Sequence, residues 1–199
     1  MPIPTKKILG FTLIEILVVM AIMAILAAIG IGAFGGVQSK ARDAQRKSDL
    51  AAFARAVEMF YNDNGRYPVI GSEADMGTAY DHSGSGIVWG QKWEVNGVLY
   101  MNQIPADPKI TNYRFIPLRI DGSTITAVGT TANKPNGYYI FAHLENEEDA
   151  KVARAANGNP GYYDLSSPGG IANSNSCNYQ GCNYVLRSPN APVLPVTAY

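Results

Sequence analysis

The chain has 199 residues, and its sixteen Lys and Arg are balanced by sixteen Asp and Glu. That balance removes any bulk electrostatic case for a nucleic-acid binder. The only histidines, His82 and His143, show no ligand spacing with the two cysteines, so a Cys/His metal module is excluded as well.

The first element in chain order is Gly10-Phe11-Thr12-Leu13-Ile14-Glu15, set between Lys6-Lys7 and an uncharged apolar run from Ile16 to Val37. About 20 apolar residues at roughly 1.5 Å each cover a bilayer hydrocarbon core of about 30 Å, so the run is long enough to span. Lys6 and Lys7 then hold the preceding end on the cytoplasmic side. A secretory signal shares this layout and would be cut at small residues such as Ala24 to Ala28, but Glu15 near the start of the run sits badly with it. A charge at the bilayer centre costs about 2.5–3.5 kcal/mol on insertion scales. Glu15 lies only about 6 Å along the helix from its start, within reach of interfacial water. Thr12-Leu13-Ile14-Glu15 also fits a capping box, in which Thr12 caps the helix and Glu15 reaches back to an orphan N–H.

Gly30, Gly32, Gly35 and Gly36 come near the end of the run. Small residues allow close approach of membrane helices; the alternative is a point where the helix loosens, since each glycine costs about 0.8–1.0 kcal/mol relative to alanine. From Ala41 the chain turns polar with no proline between Pro4 and Pro68. Leu50, Phe53, Val57 and Phe60 recur at three- and four-residue steps, while Arg42, Asp43, Arg46, Lys47, Asp49, Arg55 and Glu58 fill the other faces. Asp43 meets Arg46 and Lys47 at i+3 and i+4 for a little local support. The helix is expected to end near Asn62-Asp63-Asn64-Gly65, with Gly65 as a left-handed stop. From Phe11 to Asn62 it would measure on the order of 80 Å.

Lys6-Lys7, the Gly10 to Glu15 motif, the uncharged run and the amphipathic extension together resemble the N-terminal region of type IV pilins and of the pseudopilins of type II secretion, over Lys6 to about Pro68. The resemblance implies a pilin-like β-sheet head, and Ile104-Pro105-Ala106-Asp107-Pro108 is similar to a short stretch seen in several members. It also implies that a membrane-embedded prepilin peptidase cuts between Gly10 and Phe11 and methylates the new amine of Phe11. Identical or related subunits and the pilus or secretion assembly machinery would then be the partners. Gly10, without a side chain, suits presentation of an extended scissile bond. The implied partner of Glu15 is the N-terminal amine of Phe11 on a neighbouring subunit, a register contact in a dry filament core. Many type IV pilins carry a proline near the glycine cluster; this chain has none, which keeps the pseudopilin alternative open.

Beyond Gly65 the composition is that of a small domain holding both tryptophans and both cysteines. Strands are expected at Val98–Met101, Tyr113–Ile116, Thr124–Val128, Tyr138–Leu144 and Tyr184–Arg187, with turn signals at Asp121-Gly122 and Asn136-Gly137. The simplest arrangement is an antiparallel sheet packed on Leu50, Phe53, Val57 and Phe60, with Gly71 to Gly86 and Ala156 to Ser176 as outer loops. In an exported domain Cys177 and Cys182 are expected to form one disulfide closing a short C-terminal loop. Their spacing is wider than the Cys-x-x-Cys of redox motifs. Glu145, Glu147, Glu148 and Asp149 lack a calcium-loop pattern and read as a solvated helix or loop. Trp89 and Trp93 read as buried aromatics, and the tail from Ser188, with Pro189, Pro192 and Pro195, as extended.

No nucleophile motif or phosphate loop is present, so neither an enzyme nor a cofactor is expected. The sequence therefore predicts an α+β protein: a cleaved leader over 1–10, a transmembrane and filament-core helix over 11–37, its amphipathic continuation over 38–64 and a β-rich head over 65–199. The leading expectation is a structural subunit of a type IV pilus-like surface filament, held in the cytoplasmic membrane before assembly. The alternatives are a pseudopilin and a membrane-anchored binding domain that never polymerises.

Overall fold

The computed structural model describes residues 10–69, 72–79, 87–109, 113–121, 124–127, 134–163, 181–194 and 196–198, without the side chains of 30–35, 73, 74, 78, 124–127, 197 and 198. Helix α1 spans Leu13–Asn64, and a short helix α2 (Glu73–Met76) runs into a 3-10 turn at Gly77–Ala79. The strands are β1 (Trp93–Val95), β2 (Val98–Met101), β3 (Arg114–Asp121), β4 (Thr124–Ala127), β5 (Gly137–Ala142), β6 (Gly161–Tyr163), β7 (Tyr184–Arg187) and β8 (Val196–Ala198). The chain divides into two compact units, residues 1–40 and 41–199, so α1 contributes to both. This is an α+β fold with antiparallel sheets.

In the second unit the central sheet has the order β4-β3-β5-β7, antiparallel throughout. β5 is buried along its whole length, and its side chains alternate between two clusters. Tyr138, Ile140 and Ala142 face the cluster that contains Leu50, Phe53, Val57 and Phe60 of α1. Tyr139 and Phe141 face a smaller cluster with Leu118, Cys182, Ala191 and Leu194. A strand enclosed on both faces must be apolar at consecutive positions, which is why Tyr138 to Ala142 reads as an unbroken run. Aromatic rings fill the larger cluster: Trp93 stacks on Phe60 at 5.6 Å, and Phe115 meets Phe53 edge-on at 5.6 Å.

Polar groups carried into this interior are matched. Tyr67 and Tyr138 both donate their hydroxyls to Glu58, at 3.2 and 3.0 Å, and burial raises both phenols above their ordinary pKa. Asp75, fully buried, accepts both terminal nitrogens of Arg66 and the Val69 N–H, while its carbonyl accepts the Trp93 indole at 2.9 Å. Residues 73–79 are therefore an inward-packed turn rather than part of an outer loop, since Met76 and Ala79 enter the core. The rest of that expected loop lies mostly outside the described residues.

Arg46 departs furthest from its expected exposed face. Its side chain is 1% exposed, and four contacts meet its guanidinium. Nε and Nη2 donate to the two Asp107 oxygens at 2.7 and 3.1 Å, and Nη1 lies 2.8 Å from both Asp43 Oδ1 and Glu145 Oε1. Asp43, also buried, accepts the backbone N–H groups of Glu145 and Asn146 at 2.9 and 2.8 Å. Arg42 holds Glu145 through two further bonds, and Lys47 holds Asp149 at 2.5 Å. Of the acidic run expected to be solvated, only Glu147 and Glu148 stand exposed; Glu145 and Asp149 are half-buried ion-pair partners. Truncating one member of such a buried pair costs about 3–5 kcal/mol, mostly for stranding the opposite charge.

The helix ends as expected at Gly65, with φ of 67° and its N–H on the Tyr61 carbonyl at 2.7 Å. The turn signals fare differently. Asp121 pairs with Thr124 across β3 and β4, and Gly122 of the expected turn lies outside the described residues. Asn136-Gly137 is not a hairpin turn. The Asn136 side chain accepts Ile120 N–H and donates to Ile120 O at 2.7 and 2.8 Å, which continues the β3–β5 ladder by one rung and leads directly into β5. A two-residue hairpin with described turn residues is Asn96-Gly97 between β1 and β2, with φ of 49° and 80° as a type I′ turn requires. The proline-containing tail also returns, because β8 pairs antiparallel with β6.

Ion pairing makes this unit acid-sensitive with a definite sign. The Arg42 hydrogen bonds, outweighing partial burial and joined by Arg46, pull the Glu145 carboxyl down from 4.5 to about 2. Lys47 lowers Asp149 in the same direction. Between these values the unfolded chain binds the proton and the folded chain does not, so stability falls as pH drops from about 4.5 toward about 2. Asp49 works the other way, its carboxyl raised by burial despite the Tyr113 hydroxyl at 2.8 Å. Denaturant titrations of wild type and Glu145→Gln from pH 7 to 2 should converge at the acid end, the variant being weaker at pH 7 and shallower in its decline.

Candidate assembly site

The first unit is built from residues that cannot form a core by themselves. From Leu13 to Ile29 the described helix bears apolar side chains on every face and one charge, Glu15. Alanine, leucine and methionine favour the helix and offset the weaker propensity of the valines and isoleucines, but no stripe is polar, so no orientation on a surface would satisfy it. Leu13 is 82% exposed, Leu17 60% and Ile29 71%. An uninterrupted apolar surface of this kind marks a segment whose burial comes from outside the single chain. Among the described residues no helix is long and apolar enough to cross a membrane. The described apolar surface is interrupted at 30–35, beyond which Val37 is again 62% exposed, and the expected span over 11–37 rests on the sequence of that segment.

At the start of α1 the geometry is a capping box. Thr12 donates both its N–H and its hydroxyl to Glu15 Oε2, each at 2.8 Å, and the Thr12 oxygen accepts Glu15 N–H at 3.3 Å. One oxygen, Oε2, takes both donations. Gly10 and Phe11 are exposed, and nothing stands within 4 Å of where a Gly10 Cβ would be. Lys6 and Lys7 lie outside the described residues, as do Gly30, Gly32 and Gly35 as regards contacts. The structure thus brings Thr12 and Glu15 together and leaves the Gly10-Phe11 bond open.

Cys182 is buried beside Tyr139 and Phe141 and is not a free thiol. Its expected partner Cys177 lies outside the described residues. No group of His, Cys, Asp and Glu suited to hold a metal ion occurs among the described residues. The residues that sequence reasoning missed are Asp107 and Glu145 as partners of Arg46. The Asp43–Arg46 spacing was visible, but nothing in a linear pattern joins it to carboxylates more than sixty residues away.

A helix apolar all round, carrying one self-capped carboxylate and leading into a helix-packed antiparallel sheet, is the class of architecture these residues define. Residues 5–31 match the prokaryotic N-terminal methylation motif. The type II secretion system core protein G of Pseudomonas aeruginosa is 33% identical over 107 residues, covering 54% of this chain and 72% of that protein. The core protein G of Aeromonas hydrophila is 41% identical over 59 residues, 30% of this chain and 41% of that protein. The type IV major pilin protein PilA of Myxococcus xanthus is 39% identical over 64 residues, 32% of this chain and 29% of that protein. No solved structure matches. The chain belongs to the type IV pilin and pseudopilin family.

The cap has a measurable local consequence. Thr12→Ala should weaken the first turn by about 1 kcal/mol. Faster amide exchange over 13–16 in detergent, with the unfolding temperature of the head unchanged, is the expected result.

Proposed function

We propose that this chain is a structural subunit of a type IV pilus-like filament, processed at Gly10-Phe11 by prepilin peptidase and drawn from the membrane through α1. The carrying observation is the fully apolar surface from Leu13 to Ile29 with Glu15 as its one charge. Packed against neighbouring copies that surface is satisfied. Glu15 then needs a partner, because a dry core closes its escape to water. The methylated amine of Phe11 on a neighbouring subunit supplies it, and the Thr12 capping contact serves the chain before assembly. Cys177 and Cys182 are linked in the exported head, closing a loop that fixes local shape more than it holds the fold.

One observation favours the second reading, a pseudopilin acting in protein secretion: similarity to the core protein G of Pseudomonas aeruginosa runs over 107 residues, against 64 for the major pilin. Long surface filaments made chiefly of this chain support the pilin, and secreted enzymes that depend on it support the pseudopilin. Detection solely as a membrane monomer contradicts both.

Intact mass of the mature chain should begin at Phe11 with one added methyl group; a start after Ala28 restores an ordinary signal peptide. Glu15→Gln separates capping from pairing. A glutamine oxygen still accepts both Thr12 donations, so capping alone predicts little loss, whereas pairing predicts poor incorporation of correctly processed subunits in a mixed population. Incorporation equal to wild type rejects the pairing. Non-reducing peptide mapping should recover Cys177 and Cys182 as a linked pair, and free thiols in fresh filaments reject that.

A further inference from the structure

Three of the buried polar side chains, Asp43, Arg46 and Asn183, belong to one continuous run of contacts. Asn183 accepts the Leu144 N–H at 2.6 Å and donates to the Leu144 carbonyl at 2.9 Å, while its own carbonyl accepts Ala153 N–H at 2.7 Å. His143 Nδ1 lies 2.9 Å from the Gly181 carbonyl. The next two residues, Glu145 and Asn146, give their N–H groups to Asp43. Segment 143–146 is thus gripped by 181–183 from one side and by α1 from the other. Arg46 carries the run on to Asp107, whose Oδ1 also caps Lys109 N–H at 2.8 Å.

An apolar cluster of similar volume would hold these segments against α1 with comparable stability, and it would tolerate small shifts. A planar guanidinium shared among three carboxylates does not, because any slip leaves a desolvated charge without its partner. The two held segments carry exposed charges: Lys109 is 63% exposed, and Glu147 and Glu148 stand out from the second. Where those charges stand is decided by the clamp.

We propose that the polar run from Asn183 through Asp43 and Arg46 to Asp107 is a registering device that fixes segments 104–109 and 143–149 on α1, and that incorporation beside a second copy of this chain depends on that register. This rests on the filament reading proposed for the chain. Arg46 acts through the segments that it holds and is a positioning residue.

The test uses full-length Arg46→Lys, which keeps the charge and loses the fork, and Asp107→Asn, which keeps the shape and loses the charge. Each is mixed with wild type after N-terminal processing has been confirmed by mass. The expected result is a head that still folds, with a lowered unfolding temperature, amide exchange at Glu145 and Asn146 faster by about tenfold or more than over the central sheet, and incorporation lowered by about tenfold. Wild-type incorporation despite accelerated exchange overturns the registering role. Exchange unchanged in both variants overturns the clamp, and loss of folding in both shows a stability element instead. Failure of wild type itself to enter filaments rejects the functional reading, a result that the exchange measurements do not share.

Discussion

A guanidinium removed from water, near the beginning of the head-bearing part of α1, constrains how the distant segments of the head are placed. Arg46 is too far from solvent to be hydrated, so its charge has to be met within the protein, and α1 itself supplies one carboxylate, Asp43. The others come from segments far along the chain, Asp107 and Glu145. Burial alone would lower the Arg46 pKa, but the Asp107 and Glu145 hydrogen bonds outweigh it and hold it above its ordinary value. Each segment is positioned because an uncompensated charge at this place is worse than any loss of chain freedom.

The same rule governs the core on the apolar face of α1. Phe53, Phe60, Trp93, Phe115 and Tyr138 supply the buried area, and their polar tips find partners: Tyr138 on Glu58, Trp93 on the Asp75 carbonyl. Asp75 in turn is held by Arg66, which also lies 5.8 Å over the Phe60 ring. An aromatic core of this kind combines large contact area with directional constraints, so it specifies one arrangement of sheet on helix. β5 carries this to both faces of the sheet, which ties the α1 cluster to the smaller one around Cys182.

The two parts of α1 obey opposite requirements. From Leu50 to Phe60 every large apolar side chain on the packed face is satisfied inside the head. From Leu13 to Ile29 none is, and the one charged group is turned back onto Thr12. A helix can hold both because its backbone hydrogen bonds are internal and indifferent to surroundings; side chains alone decide where each part is stable. Membership of the pilin and pseudopilin family agrees with a chain whose head buries its own apolar side chains while those from Leu13 to Ile29 are exposed.

Local pattern was sufficient for the elements that depend on neighbours in sequence: the helix through Asn64, its stop at Gly65, the capping box, the apolar positions at Leu50, Phe53, Val57 and Phe60, and strands β2 and β7 to the residue. It failed where a choice depended on distant partners. Arg46 and Asp43 have the spacing of an exposed pair, and only Asp107 and Glu145 make them interior groups. Asn136-Gly137 has the chemistry of a turn, yet Ile120 makes its side chain a rung of the sheet. The short strands β1, β6 and β8, three residues each, were too brief to show a period of two and exist because a partner lies opposite. Sequence determined which segments were helical, apolar or charged, since those properties reside in each residue and its near neighbours. Tertiary structure decided which charges were buried and which strands paired, because both depend on groups that the linear order keeps far apart.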